Sequence, residues 1–260
     1  MPGLRHAAIG IDAQGIATLT IREAGSLNIL GTPVINDLIS GLHQLAVDAR
    51  VRALVLRGTG DKAFIAGADI KEMGSLDTDT ARRFIDNLRQ LCEAVRQFPT
   101  PVIARIPGWT LGGGLELAAA CDIRIAARQA HLGMPEVKVG IPSIIHAALL
   151  PGLIGQARTN WLLLTGENID AAKAEAWGLV DRVVDLEELD NAIAHLASQF
   201  ASCGPAVLRQ QKRLLREWQQ EPIETAIRNG VGEFASAFAT GEPQSFMKAF
   251  VDKKAAARAA

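Results

Sequence analysis

Cysteine is scarce and scattered in this chain of 260 residues: Cys92, Cys121 and Cys203 are far apart, odd in number and without a CxxC pair. Such a pattern builds neither a disulfide framework nor a zinc cluster, and it fits a reducing compartment. An excess of charge is missing too. Twenty-seven Lys and Arg stand against 28 Asp and Glu, a formal charge of −1, so no general basic field exists to hold nucleic acid or an anionic membrane. No apolar run approaches the roughly 20 residues that span a bilayer, and the opening MPGLRH has no long apolar stretch. We expect a cytoplasmic protein with no membrane or nucleic-acid partner. There is also no GxxxxGK[ST] cradle, no HExxH pair and no Ser/His/Asp order, so P-loop, zinc-protease and serine-hydrolase readings lack support and no metal site is expected.

What remains is a chain that can bury a full core, with 48% hydrophobic and 21% charged residues. Gly15 to Arg22, Ala53 to Arg57 and Pro101 to Ile106 read as strands, from alternation, β-branched content or bounded apolar runs. Between them, Pro33 to Ala49 and Thr80 to Phe98 carry apolar residues every three or four positions, the mark of amphipathic helices. Strands separated by helices need crossovers, which predicts an α/β fold with a mainly parallel sheet. From about Asp185 the pattern turns helical throughout, over Leu186 to Phe200, Ala206 to Trp218 and Ile223 to Phe238. We divide the chain into a core domain, residues 1–185, and a C-terminal helical subdomain, residues 186–260. No Pro/Gly/Ser-rich linker separates them, and no repeat of fixed period is visible.

Three stretches could carry chemistry. Ala66-Gly67-Ala68-Asp69-Ile70 is a small-residue turn after a strand, where backbone N–H groups stay approachable; alternatively, Asp69 simply caps a helix. Gly108 to Leu117 holds Gly112, Gly113 and Gly114 at a helix start, where each glycine costs about 1 kcal/mol relative to Ala, so backbone access is the simplest reason for them. Glu116 follows inside LELAAAC, with apolar neighbours all round. It either pairs with an arginine such as Arg124 or Arg128, or has its proton affinity raised by desolvation and is poised for proton transfer. Gly133 to Pro142 carries Glu136, read either as a second acid or as an exposed partner of Lys138.

In these residues the chain resembles the enoyl-CoA hydratase/isomerase, or crotonase, superfamily over nearly its whole length. GDKAFIAGADIKEM (60–73) is similar to the family's first oxyanion-hole segment and GWTLGGGLELAAACDIRIA (108–126) to its second. GMPEVKVGIP (133–142) resembles the segment of the second acid, and LTGENIDAAKAEAWGLVDRVV (164–184) the helix-turn that follows. The resemblance implies a spiral of ββα units and a site in which the N–H groups of Ala68 and Gly113 grip the carbonyl of an acyl-CoA thioester. Glu116 and Glu136, twenty positions apart, match the two catalytic glutamates of the hydratases. The implied reaction is reversible hydration of a 2-enoyl-CoA, with coenzyme A arriving as part of the substrate and no resident cofactor. Isomerase, hydrolase or dehalogenase chemistry of the same fold is the alternative, and a non-catalytic acyl-CoA-binding or RNA-associated relative a more distant one.

The resemblance further places Ser26, Leu27, Ala66, Asp69, Ile70 and Gly112 along the CoA thioester and Lys253 near its phosphates, although Lys253 also reads as a solvated terminal lysine. It implies a trimer or a dimer of trimers, consistent with Phe234, Phe238, Phe246 and Phe250 in the last helices. After Pro142 the chain departs from the family's Gly-rich stretch with Ser143-Ile144-Ile145-His146. Ser143 and His146 are therefore candidates for the acyl pocket, His146 having the second reading of an outward-facing helix residue.

Overall fold

The computed structural model describes residues 3–259, with side chains through residue 257. A hairpin of β1 (Ala7–Ile11) and β2 (Ile16–Ile21) leads into α1 (Thr32–Ala46), and a unit of two strands and a helical return then occurs three times. The first is β3 (Ala53–Arg57), β4 (Ala63–Ile65), α2 (Ile70–Met73) and α3 (Thr78–Arg96). The second is β5 (Val102–Ile106), β6 (Trp109–Leu111) and α4 (Gly113–Ala120). The third is β7 (Ile123–Ala127), β8 (His131–Gly133), the 3-10 turns Pro135–Val139 and Ile145–Leu149, α5 (Leu150–Ile154) and α6 (Gln156–Thr165). Unequal returns explain why the sequence shows no fixed period.

The first strand of each unit joins a six-stranded sheet of order β1-β2-β3-β5-β7, closed by β10 (Arg182–Val184), and the second joins a smaller sheet of order β4-β6-β8, closed by β9 (Asn168–Asp170). Each unit thus adds one strand to each sheet, the geometry of a spiral. Pairing is parallel except for β1 with β2 and β8 with β9. Side chains alternate across a strand, so Leu54 and Leu56 of β3 pack with α1 and α3 while Val55 packs on the opposite face, with Leu189 and Ile193 of α8 (Leu189–Ser202). A strand buried on both faces reads as a continuous apolar run, as ALVLR does.

Beyond α7 (Ala171–Trp177) and α8, α9 (Pro205–Glu217) is tied to the core by buried Lys212, whose Nζ reaches Asp122 Oδ2 at 2.7 Å and Thr100 O at 3.0 Å. The helices α10 (Ile223–Ala237) and α11 (Glu242–Ala259) end the chain. Along α10, Ile223, Ile227, Val231 and Phe234 form one exposed stripe, with Val231 76% and Phe234 67% exposed, and Phe246, Met247 and Phe250 are exposed on α11. No helix among the described residues is long and apolar enough to cross a membrane.

Candidate active site

The small sheet gathers the three stretches. Its strands β4, β6 and β8 run parallel and adjacent, with Ile65 opposite Thr110 and Leu111 opposite Gly133. The chain therefore leaves all three at one edge, as Ala66–Asp69, Gly112–Glu116 and Met134–Glu136. The carboxyl ends of parallel strands are where α/β folds bind ligands.

Two glycines shape the exits. Gly67 has φ +114° and Gly112 φ +53°, a region that L side chains avoid. Each turns the chain just before a small residue whose N–H is left free. Leu30 N donates to Gly67 O and Asp69 N to Leu30 O, yet the Ala68 N–H between them donates to no protein group among the described residues. Gly113 opens α4, so its N–H has no intrahelical acceptor. Gly112 also makes room: a Cβ there would lie 2.6 Å from Glu136 Oε1.

Glu116 sits in the first turn of α4 and is 4% exposed. Its Oε1 accepts the Ala147 N–H at 2.9 Å. Burial pushes its pKa up to about 8; the Ala147 bond pulls the other way and the nearby Glu136 charge adds to the rise. The arginines that sequence offered as partners are engaged elsewhere, Arg124 with Asp181, Leu179 O and Cys121 O, and Arg128 with Asp185. Glu136, half-buried on its 3-10 turn, is also raised by burial, while its own main-chain N–H and the Ser143 hydroxyl pull it down. Ser143 Oγ donates to Glu136 Oε2 at 3.0 Å, and Lys138 makes no ion pair with Glu136 among the described residues.

Both carboxyls, with Ala68 and Gly113, line one cavity of about 580 Å³ whose walls include Met73, Leu76, Phe84, Leu88, Val139 and Ile144. Ala66, Ile70, Gly112 and Ser143 line it as well. Other candidates lie elsewhere. Asp69 is turned back to cap α2, accepting from Lys71 N and Glu72 N. Ser26 and Leu27 stand outside the cavity, on a loop held to β4 by the bond from Ala66 N to Leu27 O. Lys253 is exposed on α11.

His146 requires a correction, since it lies neither in the acyl cavity nor outward in solvent: it is buried, with Nε2 3.3 Å from Glu93 Oε2 on α3. The cause is Ile145, held at φ +41°, a conformation that costs a β-branched residue on the order of 1–3 kcal/mol. This reversal leaves Ser143 and Ile144 on the cavity, turns His146 away and brings the Ala147 N–H to Glu116.

Sequence reasoning missed Ala147, which acts through its backbone and carries no residue-type signal. It also passed over the function of Asn28, which is fully buried with Nδ2 bonded to Ala63 O at 2.9 Å and Thr59 O at 3.2 Å, pinning the Ser26–Leu27 loop beside β4. Among the described residues no group of three or more His, Cys, Asp or Glu is placed to hold a metal ion.

Known proteins are similar to this chain over most of its length. The chain is 34% identical to the short-chain-enoyl-CoA hydratase of Clostridium acetobutylicum over 92% of each chain, and 35% identical to the crotonyl-CoA hydratase of Syntrophomonas wolfei over 93% of each. A crystal structure of an enoyl-CoA hydratase from Bacillus anthracis superposes with a TM-score of 0.92 at 32% identity, covering 96% of this chain and 97% of that one. The enoyl-CoA hydratase/isomerase profile matches residues 12–257. With the profile spanning nearly the whole chain, and with the spiral fold described above, the protein belongs to the enoyl-CoA hydratase/isomerase family.

Proposed function

We propose that the protein is an enoyl-CoA hydratase that adds water reversibly across the double bond of a 2-enoyl-CoA. One observation carries this reading: two carboxyls with raised proton affinity and two unpaired backbone N–H groups face a single cavity. The relatives named as hydratases support it.

The thioester oxygen lies between the Ala68 and Gly113 N–H groups, where the N-terminal end of α4 favours the negative charge that develops as the enolate forms. In this reading Glu116, whose pKa burial pushes up to about 8, serves as the acid, and Glu136 serves as the base. The ionised carboxyl takes a proton from water as the oxygen bonds to C3; the protonated one delivers its proton to C2. The cycle closes when the proton gained from water passes back between the carboxyls. A positioned acid or base of this kind contributes about 10²–10⁴ in rate. By this reading the apolar walls receive the acyl chain, coenzyme A belongs to the substrate, and Ser26, Leu27 and Lys253 serve its nucleotide end.

We also propose a cytoplasmic homotrimer, alone or doubled; the exposed apolar residues of α10 and α11 support self-association. Light scattering at micromolar concentration tests this, and a monodisperse monomer overturns it. The activity is tested by following loss of the conjugated thioester absorbance over a panel of 2-enoyl-CoA substrates. Turnover confined to 3-enoyl-CoA isomerisation or to thioester hydrolysis overturns it.

A further inference from the structure

We infer that Ser143 is a positioning residue for Glu136: its hydroxyl holds one carboxylate oxygen, so that the other is presented to the reacting water. The inference rests on the hydratase reading for its chemistry and on geometry for its substance. Ser143 stands where the chain departs from the family's Gly-rich stretch, and its Oγ donates to Glu136 Oε2 at 3.0 Å. The second oxygen, Oε1, lies against Gly112, close enough that a Cβ there would come within 2.6 Å. Oε1 therefore lies against the backbone turn at Gly112, while Oε2 is occupied.

Apart from its own main-chain N–H, no other group among the described residues donates to this carboxyl. Glu116 faces it across the cavity from α4, Arg82 lines the same cavity from α3, and Lys138 shares its turn, but none makes a hydrogen bond or ion pair to it among the described residues. Arg158, the titratable group of the adjacent α6, bonds Trp177 O instead. The 3-10 turn that carries Glu136 is partly exposed, so without the serine the carboxylate keeps only its own main-chain N–H as a donor. A hydroxyl donor also favours the ionised form, which is the form that accepts a proton from water. A glycine or alanine at this position has no such donor.

Ser143→Ala tests the assignment, with Ser143→Thr as the variant that keeps the hydroxyl. The expected result for Ser143→Ala is a loss of about 10-fold in kcat, as for one hydrogen bond to a charged group, with KM for the enoyl-CoA changed less than about twofold. The acidic limb of the kcat profile should move up by about one pH unit. Ser143→Thr should restore both. If Ser143→Ala leaves kcat and the acidic limb unchanged and alters only the preference among acyl chains, the serine is a cavity wall and the inference is overturned. Titration of the Glu136 carboxyl by carbon NMR of the unliganded protein, assigned through Glu136→Gln, works whether or not hydration is the activity. A higher Glu136 pKa in Ser143→Ala then supports the positioning role even if no enoyl-CoA is hydrated, and an unchanged one refutes it.

Discussion

The two acid-bearing segments are built in opposite ways. Glu116 is carried by a helix with every residue buried, and its partner is a backbone N–H. Glu136 stands on a five-residue 3-10 turn with no buried residue, and its partner is a hydroxyl. Both acids have raised proton affinity, since burial is the leading cause for each, but the more deeply desolvated Glu116 holds its proton up to about pH 8. The contrast teaches how one cavity raises the proton affinity of two carboxyls by the same cause, burial, while different donors oppose the rise at each. Depth of burial sets the difference, and the donors adjust it.

The most severe way to break the comparison is to remove the acids. Glu116→Gln and Glu136→Gln should each lower kcat for hydration by at least about 10²-fold, and the double variant should fall far short of the product of the two losses, since both act on one water. Steady-state kinetics with a 2-enoyl-CoA checks this; if Glu136→Gln spares turnover while Glu116→Gln abolishes it, a single-acid isomerisation is the better reading.

A stability measurement sharpens the same contrast. The folded-state pKa of Glu116, about 8, lies above its ordinary value of 4.5, so its neutral form contributes stability that is fully present below about pH 4.5 and lost as pH rises through about 8. Chemical denaturation should therefore show wild type losing stability relative to Glu116→Gln by a few kcal/mol between about pH 5 and pH 8. The corresponding difference for Glu136→Gln should be smaller, because Glu136 is less buried and holds two donors.

Gly112→Ala tests the contact between the segments. It forces a side chain into a left-handed conformation and against Glu136 Oε1, and should cost about 1–2 kcal/mol in stability and about 10-fold or more in kcat. Smallest of all should be His146→Leu. Its ring is turned to Glu93 and away from the cavity, so kcat should stay within about threefold of wild type, with a change in stability of about 1 kcal/mol from the lost hydrogen bond.

Legibility followed the same physics. The long elements could be read directly: β2, β3 and β5 from alternation or apolar runs, α1 and α3 from spacing, because each buries a face over enough residues to show a period. The small sheet could not. Its strands β4, β6, β8 and β9 have three residues each, too few for a pattern, although they are what bring the three motifs to one edge. Of the stripe on α10 only Phe234 was singled out in the sequence, together with Phe238, Phe246 and Phe250 beyond that helix.

Sequence by itself determined the kinds of group available: glycines before small residues, one acid in an apolar helix and a second acid in a turn. These are local properties of residue type and order. Tertiary structure alone decided that Glu116 has no arginine, that Asp69 is spent on a helix cap, that His146 faces α3 and that Ser143 holds Glu136. All but the local Asp69 cap depend on which distant backbone or side-chain group arrives within hydrogen-bond reach once the spiral closes, and the strained turn at Ile145 separates Ser143 on the cavity from His146 on α3.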